Sequence, residues 1–218
     1  MPTLRFERDL FDQGFVRVVG VDEVGMAALA GPVVAAACLV TPDTKLIRAV
    51  KDSKMLTRQQ REDLVVSIRE RVVRVGVGAA SVNEIHRLNI YHASHVAMIR
   101  ALRQIGDYDW VLVDGRRILD PSFAPGRHSE IVRGDTKSFA IAAASIIAKV
   151  TRDRLMVMLS QKYPGYGWEH NAGYPTIDHR KALRERGLTP LHRHDFGTVK
   201  LLRAVENQLA LALADAVP

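Results

Sequence analysis

Residues 18–38 read Val-Val-Gly-Val-Asp-Glu-Val-Gly-Met-Ala-Ala-Leu-Ala-Gly-Pro-Val-Val-Ala-Ala-Ala-Cys, and no other stretch constrains the fold as much. An apolar run ends in two adjacent carboxylates, Asp22 and Glu23. A glycine-containing loop follows, then a second apolar run. Apolar run, turn and apolar run predict a β-hairpin. Carboxylates at a strand end beside a glycine loop are placed to hold a hard cation against a phosphate. Neighbours in a regular strand point to opposite faces. Asp22 and Glu23 can therefore share a site only if the strand ends or bulges there, or if one contributes its carbonyl. Gly25 offers such a break.

The rest of the chain alternates strand and helix patterns. Strands are expected at 16–21, 32–40, 73–80, 109–113 and 129–133, the first three forming an antiparallel sheet. Thr57 with Gln60, and Ser81 with Glu84, are capping-box pairs that open helices. A longer helix is expected over 91–105, and an alanine-rich one over 138–162 that can approach a sheet closely. Residues 163–175 read as loop, 176–186 as helix and 199–215 as a final amphipathic helix. Residues 1–14 read as a loosely attached lead-in. The expected class is one α/β domain over residues 1–218, a mixed central sheet flanked by helices with a helical extension at its C-terminal end.

Composition limits the partners. The 218 residues are 47% hydrophobic and 25% charged, an ordinary globular balance. Formal net charge is +7 and the isoelectric point about 9.8, which fits a nucleic-acid ligand and equally a soluble protein that is merely basic. The single cysteine, Cys38, lies in an apolar run and reads as a core residue. Together with a first segment lacking a signal-peptide core and no run able to span a bilayer, it predicts a soluble, cytoplasmic protein.

Asp22 and Glu23, Asp114 and Asp135 each follow an apolar strand and adjoin glycine. Strand ends on one edge of a sheet converge, so these four carboxylates can meet. Hard cations such as Mg²⁺ take oxygen ligands and complete their shells with water and substrate phosphate. Three or four carboxylates can hold two such ions, roughly 4 Å apart. Each acid taken singly is an ordinary turn residue.

With these residues in view, the chain from about Val19 to Val199 resembles bacterial ribonuclease HII. The residues carrying the resemblance are Gly20-Val-Asp-Glu-Val-Gly25, Leu29-Ala-Gly-Pro-Val-Val-Ala-Ala-Ala37 and Asp52-Ser-Lys-Met-Leu56. Val113-Asp-Gly115 and Gly134-Asp135 follow, then Ala140-Ile-Ala-Ala-Ala-Ser-Ile-Ile-Ala-Lys-Val-Thr-Arg-Asp153, Gly173-Tyr-Pro-Thr176 with His179, and His192-Arg193 with Phe196. So many motifs in one order are specific where each alone is weak. The resemblance implies an RNase H-like fold and metal-dependent endonucleolytic cleavage of RNA, in RNA–DNA hybrids or at ribonucleotides embedded in duplex DNA. It implies 3′-hydroxyl and 5′-phosphate ends and places the metal-binding acids on Asp22, Glu23, Asp114 and Asp135. Tyr174 matches the tyrosine that packs on the sugar at the RNA–DNA junction. Lys54, Lys149 and Arg193 are candidates for phosphate contact, and His179 and His192 for orienting phosphates or capping local backbone. Trp168 and Tyr166 read as packing residues.

One motif departs from the family. Gly25-Met26-Ala27 stands where the family has Gly-Arg-Gly, a loop that recognises the 2′-hydroxyl beside the junction through its backbone. Met26 removes a cation. If position 27 required positive φ, alanine would cost on the order of 1 kcal/mol. Two expectations follow: the loop keeps its shape and cleavage at the junction is weakened or altered, or junction recognition is lost while cleavage of longer RNA tracts survives; catalysis is retained in both.

The expectation is a hydrolase using Mg²⁺ or Mn²⁺ in a two-metal site, a monomer, with RNA–DNA hybrid and ribonucleotide-containing duplex DNA as partners and residues 163–218 forming substrate-binding loops and helices. The rival is a non-catalytic hybrid-binding protein that keeps the fold. A magnesium-dependent phosphatase for small esters is a third reading, opposed by the basic balance and the Tyr174 loop.

Overall fold

The expected hairpin is present and seeds a five-stranded sheet. In the computed structural model, residues 1–115, 118, 123–202 and 204 are described. In chain order the elements are α1 (Arg5–Phe11), β1 (Val18–Val24), β2 (Val33–Val40), α2 (Arg58–Arg71), β3 (Arg74–Ala80), α3 (Val82–Ile105), β4 (Trp110–Asp114), β5 (His128–Ile131), α4 (Phe139–Lys162), α5 (Trp168–Asn171) and α6 (Ile177–Arg186). Short 3-10 turns lie at Ser53–Met55 and Gly134–Thr136.

The strand order is β3-β2-β1-β4-β5. The first three strands pair antiparallel, as their proximity in sequence predicts; β4 and β5 add in parallel beside β1. Both faces are covered, and period-two alternation divides the residues between them. Val18, Ala36, Cys38 and Leu112 pack on α4; Val19, Val21, Ala35, Ala37, Val111 and Val113 pack on α3. A Cβ on Gly20 would overlap the main chain of Ala140, so the first turn of α4 lies directly on β1. The alanines of α4 serve the close approach that they predict. Burial pushes the Cys38 thiol up to about 12, which makes it an inert core residue.

Both capping boxes form. Thr57 Oγ1 accepts from the Gln60 amide at 3.2 Å and Gln60 Oε1 accepts from the Thr57 amide at 2.9 Å. Ser81 and Glu84 repeat the arrangement. Asn89, at φ 63°, breaks α3 into the short and long helices expected there, its Oδ1 accepting from the amides of Tyr91 and His92.

The N-terminal segment corrects the expectation of a loose lead-in. Leu4 and Leu10 are buried and Glu7 is fully buried. Glu7 Oε1 accepts from Ser138 Oγ at 2.7 Å and from the Ala140 amide at 2.9 Å. Thr3 is bonded through its main chain to Lys137 and Phe139. The cause is the start of α4, whose first amides lack intrahelical acceptors and carry positive dipole charge. A distant carboxylate satisfies one of them. Burial raises the Glu7 pKa, and its hydrogen bonds pull against that rise.

A third apolar cluster joins Leu29, Ala30 and Met156 to Tyr166, Trp168, Leu183 and Val199, so Tyr166 and Trp168 are packing residues as expected. Residues 168–171 form one helical turn within the expected loop. The last helix is described only over 197–202 and at 204; the rest of the expected helix, to 215, lies outside the described residues. Among the described residues no helix is long and apolar enough to cross a membrane.

Candidate active site

β1 runs regularly through both of its acids: Asp22 pairs with Ala36 and Glu23 with Ala35. The strand neither ends nor bulges there. The two side chains share a cleft for a different reason. β4 lies parallel to β1, with Val21 opposite Val113, and it ends one residue later at Asp114. Asp22 and Asp114 are thus neighbours on one face. Glu23 has no β4 partner, so no strand separates its face from theirs. Asp22, Glu23 and Asp114 line one cavity of about 400 Å³ with Ser53, Lys54, Ser145, Lys149 and Tyr174.

Asp135 enters from the Gly134–Thr136 turn, just before α4. The Gly134 amide donates to Asp114 Oδ1 at 2.6 Å, which holds that turn against the end of β4. Lys54 Nζ lies 3.7 Å from Asp135 Oδ2 with its own side chain 81% exposed, so this cation reaches the acids from the solvent side.

The acids repel one another. Burial first, then Glu23 and Asp114, pushes the Asp22 pKa well above the carboxylate range. Glu23 is pushed up to about 7 by burial and then by Asp114. Burial and then Asp135 raise Asp114, against the pull of the Gly134 amide. Burial pulls the Lys54 ammonium down, but Asp135, Asp52, Asp22 and Asp114 outweigh it and raise it. Among the described residues, no three histidine, cysteine, aspartate or glutamate side chains form a ready-made coordination shell. The donor chemistry nevertheless fits a hard cation: the acids offer only oxygen, and a divalent ion relieves the repulsion that a single lysine leaves.

Ser145 was not singled out by sequence. It hydrogen-bonds Asp22 and lies 3.1 Å from Ser53 Oγ, which links the Lys54 turn to the first acid. Its place as the lone polar residue in the alanine-rich run of α4 is the sequence signal that could have found it.

Lys149 reaches the cleft as expected. Its Nζ is 2.8 Å from Asp153 Oδ1 and 5.5 Å from the centre of the Tyr174 ring. Tyr174 itself is half-buried on the cleft wall.

His179 and Arg193 are corrected: both are fully buried, out of reach of any substrate. His179 Nδ1 is 2.9 Å from the Tyr174 carbonyl, while its Nε2 accepts from Trp168 Nε1 and lies 3.2 Å from His192 Nε2. It fixes the Tyr174 loop from below. Burial, then repulsion by His179, holds His192 down to about 3, so that ring stays neutral.

Arg193 donates to the carbonyls of Gly25, Met26 and Gly31 at 2.7, 3.2 and 2.9 Å. Arg152, also fully buried, donates to those of Pro32, Ala172 and Ala30. Five of these six carbonyls belong to the loop between β1 and β2. Two guanidiniums under one loop repel: burial first, then Arg152, holds Arg193 down to about 9. Arginines in polar sequence read as solvated, and their carbonyl partners lie too far away in the chain to be inferred.

The loop conformation settles the question at position 27. Gly25 has φ +96° and a Cβ there would overlap the Arg152 side chain, whereas Met26 and Ala27 are not among the residues with positive φ. Ala27 is exposed and Met26 packs partly on the α3-side core. The alanine is accommodated without backbone strain.

Known proteins resemble this chain in sequence and in fold. The family model described as Ribonuclease HII matches residues 19–199. A protein named Ribonuclease HII from Thermosynechococcus vestitus is 48% identical over 194 residues, covering 89% of this chain and 90% of its own length. The ribonuclease H2 of Pyrococcus horikoshii OT3 superposes with a TM-score of 0.70 at 27% identity, over 85% of this chain and 96% of its own. Bst-RNase HIII, whose crystal structure is a complex with Mn²⁺, superposes at 0.65 with 22% identity, over 87% and 70% of the two chains, and shares the fold.

Proposed function

The chain belongs to the ribonuclease HII family, and from that premise we propose that Asp22, Glu23, Asp114 and Asp135 are its catalytic acids. The enzyme is an endonuclease that cleaves RNA in RNA–DNA hybrids, with the metal dependence of its family. The observation that carries the assignment is the register of β1 and β4, which sets Asp22 beside Asp114 in a cleft where buried carboxylates repel one another.

When bound, two divalent cations, Mg²⁺ or Mn²⁺, would supply Lewis-acid charge to the scissile phosphate and to the attacking water. Asp22 and Asp114, side by side, would anchor them, and Glu23 and Asp135 would complete their shells. Ser145 and the Gly134 amide keep Asp22 and Asp114 oriented. Water adds to phosphorus, the bond to the 3′ oxygen breaks, and the ends are a 3′-hydroxyl and a 5′-phosphate. Lys54 and Lys149 offset phosphate charge at the cleft mouth.

Ribonucleotides embedded in duplex DNA are also proposed substrates. Tyr174 presents a ring to the sugar beside the cut, where an aromatic face disfavours an added hydroxyl. Gly25, Met26 and Ala27 face the same strand, and the carbonyls of Gly25 and Met26, turned inward on Arg193, leave the outer side of the loop to its amides. Met26 lacks the charge of the family arginine, so discrimination of the junction rests more on shape. The loops and helices described over 163–202 and at 204 would complete the substrate-binding surface; 203 and 205–218 lie outside the described residues.

The test is cleavage with Mg²⁺ or Mn²⁺ of two duplexes, one with a single ribonucleotide in DNA and one a continuous RNA–DNA hybrid. Cutting of both supports the proposal. Binding without cutting of either supports the rival hybrid-binding protein. Met26→Arg with Ala27→Gly is expected to raise single-ribonucleotide cleavage relative to hybrid cleavage, and an unchanged ratio would show that the loop departure is tolerated.

A further inference from the structure

A second groove of about 500 Å³ adjoins the catalytic cleft. The two share Lys149 and Tyr174, so the tyrosine ring stands between them. Arg58 and Arg61, from the first turn of α2, line the far wall. Asp153, from the same face of α4 as Lys149, and Glu169 with His170 from α5 are among its other lining residues.

We propose that this groove is a backbone site for the cleaved strand, holding a phosphodiester one or two nucleotides from the cut. The proposal rests on the ribonuclease reading. A strand seated at the acids has to leave the cleft, and the shared tyrosine wall makes this groove one of its exits. The acids and the cations they would hold serve the scissile phosphate, so the neighbouring phosphates of the strand call for cations beyond the cleft.

The charges are arranged for that purpose. Asp153 takes both Lys149 Nζ, at 2.8 Å, and Arg61 Nη2, at 3.6 Å, and holds these two cations in fixed positions. Arg61 also donates to the carbonyls of Ser53 and Leu56 at 3.1 and 2.7 Å, which joins the groove to the turn carrying Lys54. Arg58 is exposed and forms no ion pair among the described residues, so its charge faces the groove mouth unspent. Phosphate contacts of this kind position a strand without reading its sequence.

The probe is a fluorescent duplex carrying one ribonucleotide, full length or with the labelled strand shortened to one nucleotide on either side of the cut. Arg58→Gln is expected to weaken binding of the full duplex about threefold to tenfold, and to lower the slope of log affinity against log salt by about one. Shortening the strand on one side should weaken binding to the wild type and leave binding to Arg58→Gln unchanged, because the lost phosphate and the lost cation are the same contact. Arg58→Glu should exaggerate the first effect. Equal affinity, equal salt slope, or the same penalty for shortening in wild type and variant would overturn the proposal. If the wild type cuts neither duplex the ribonuclease reading fails, while the anisotropy measurements still decide whether the groove holds the strand. Circular dichroism and unchanged Tm establish that the Arg58 variants fold.

Discussion

Arg193 Nη1 donates a 2.7 Å hydrogen bond to the carbonyl of Gly25, across 168 positions of sequence. The contact makes a C-terminal residue the floor of a loop that begins two residues after the second acid. Its partner Arg152 holds the other end of the same loop.

Arg193→Ala should therefore act on the loop and on stability together. Three buried carbonyls lose a donor, at a cost on the order of 3 kcal/mol, or roughly 10 °C in Tm. Cleavage of the single-ribonucleotide duplex should fall more than cleavage of the continuous hybrid. Arg193→Lys should recover part of the stability but not the ratio, because an ammonium lacks the fork that reaches separate carbonyls. Parallel loss of both activities would reduce the residue to a purely structural role.

Asp114→Asn should lower kcat at least about 1000-fold with binding of hybrid nearly unchanged. The amide still accepts from Gly134, so the turn carrying Asp135 is preserved. Steady-state cleavage and fluorescence anisotropy measure the two sides of this expectation.

Glu23 makes the metal-free protein pH-sensitive. Its pKa rises from the ordinary 4.5 to about 7 on folding. A carboxyl raised in this way contributes stability that is complete below its unfolded value and lost as pH rises through its folded one. The metal-free protein should lose on the order of 2 kcal/mol between about pH 4.5 and pH 7 from this group. Glu23→Gln should raise Tm at pH 8 by roughly 5 °C and leave it unchanged near pH 4. Added Mg²⁺ should raise the wild-type Tm at pH 8 and raise that of the variant less. A difference in Tm that does not vary with pH would count against the burial and the Asp114 repulsion that raise Glu23.

Ala27→Gly should not stabilise the protein. Position 27 is free of positive φ, so glycine brings no relief and adds freedom to the unfolded chain, a loss of about 0.5 kcal/mol. A gain in Tm on thermal unfolding would mean that the alanine is strained after all.

Much of the fold is legible in sequence where the signal is local. The two apolar runs mark β1 and β2 as a hairpin, and the capping boxes at Thr57 and Ser81 mark helix starts. The strand-end acids are legible because apolar runs stop beside glycine. The residues that escaped share another property: their partners are remote. Glu7 meets the start of α4, and Arg193 meets a loop more than 160 positions earlier. Polar side chains in polar stretches read as solvated until a distant backbone presents unpaired groups. The sharing of one cleft by Asp22 and Glu23 was hidden for a related reason, since it depends on where β4 stops.

The docking of α1 has a consequence for synthesis. Glu7 leaves the ribosome 131 residues before Ser138, its hydrogen-bond partner. At about 5–20 residues per second, on the order of 10 s pass between the two. Until then, α1 lacks the partners that Glu7 holds in the folded chain, and the turn bearing Asp135 has no anchor on that side. α1 is thus made long before the helix start that it docks on. Nascent chains stalled before α4 should expose α1 to protease, and release of the full chain should protect it.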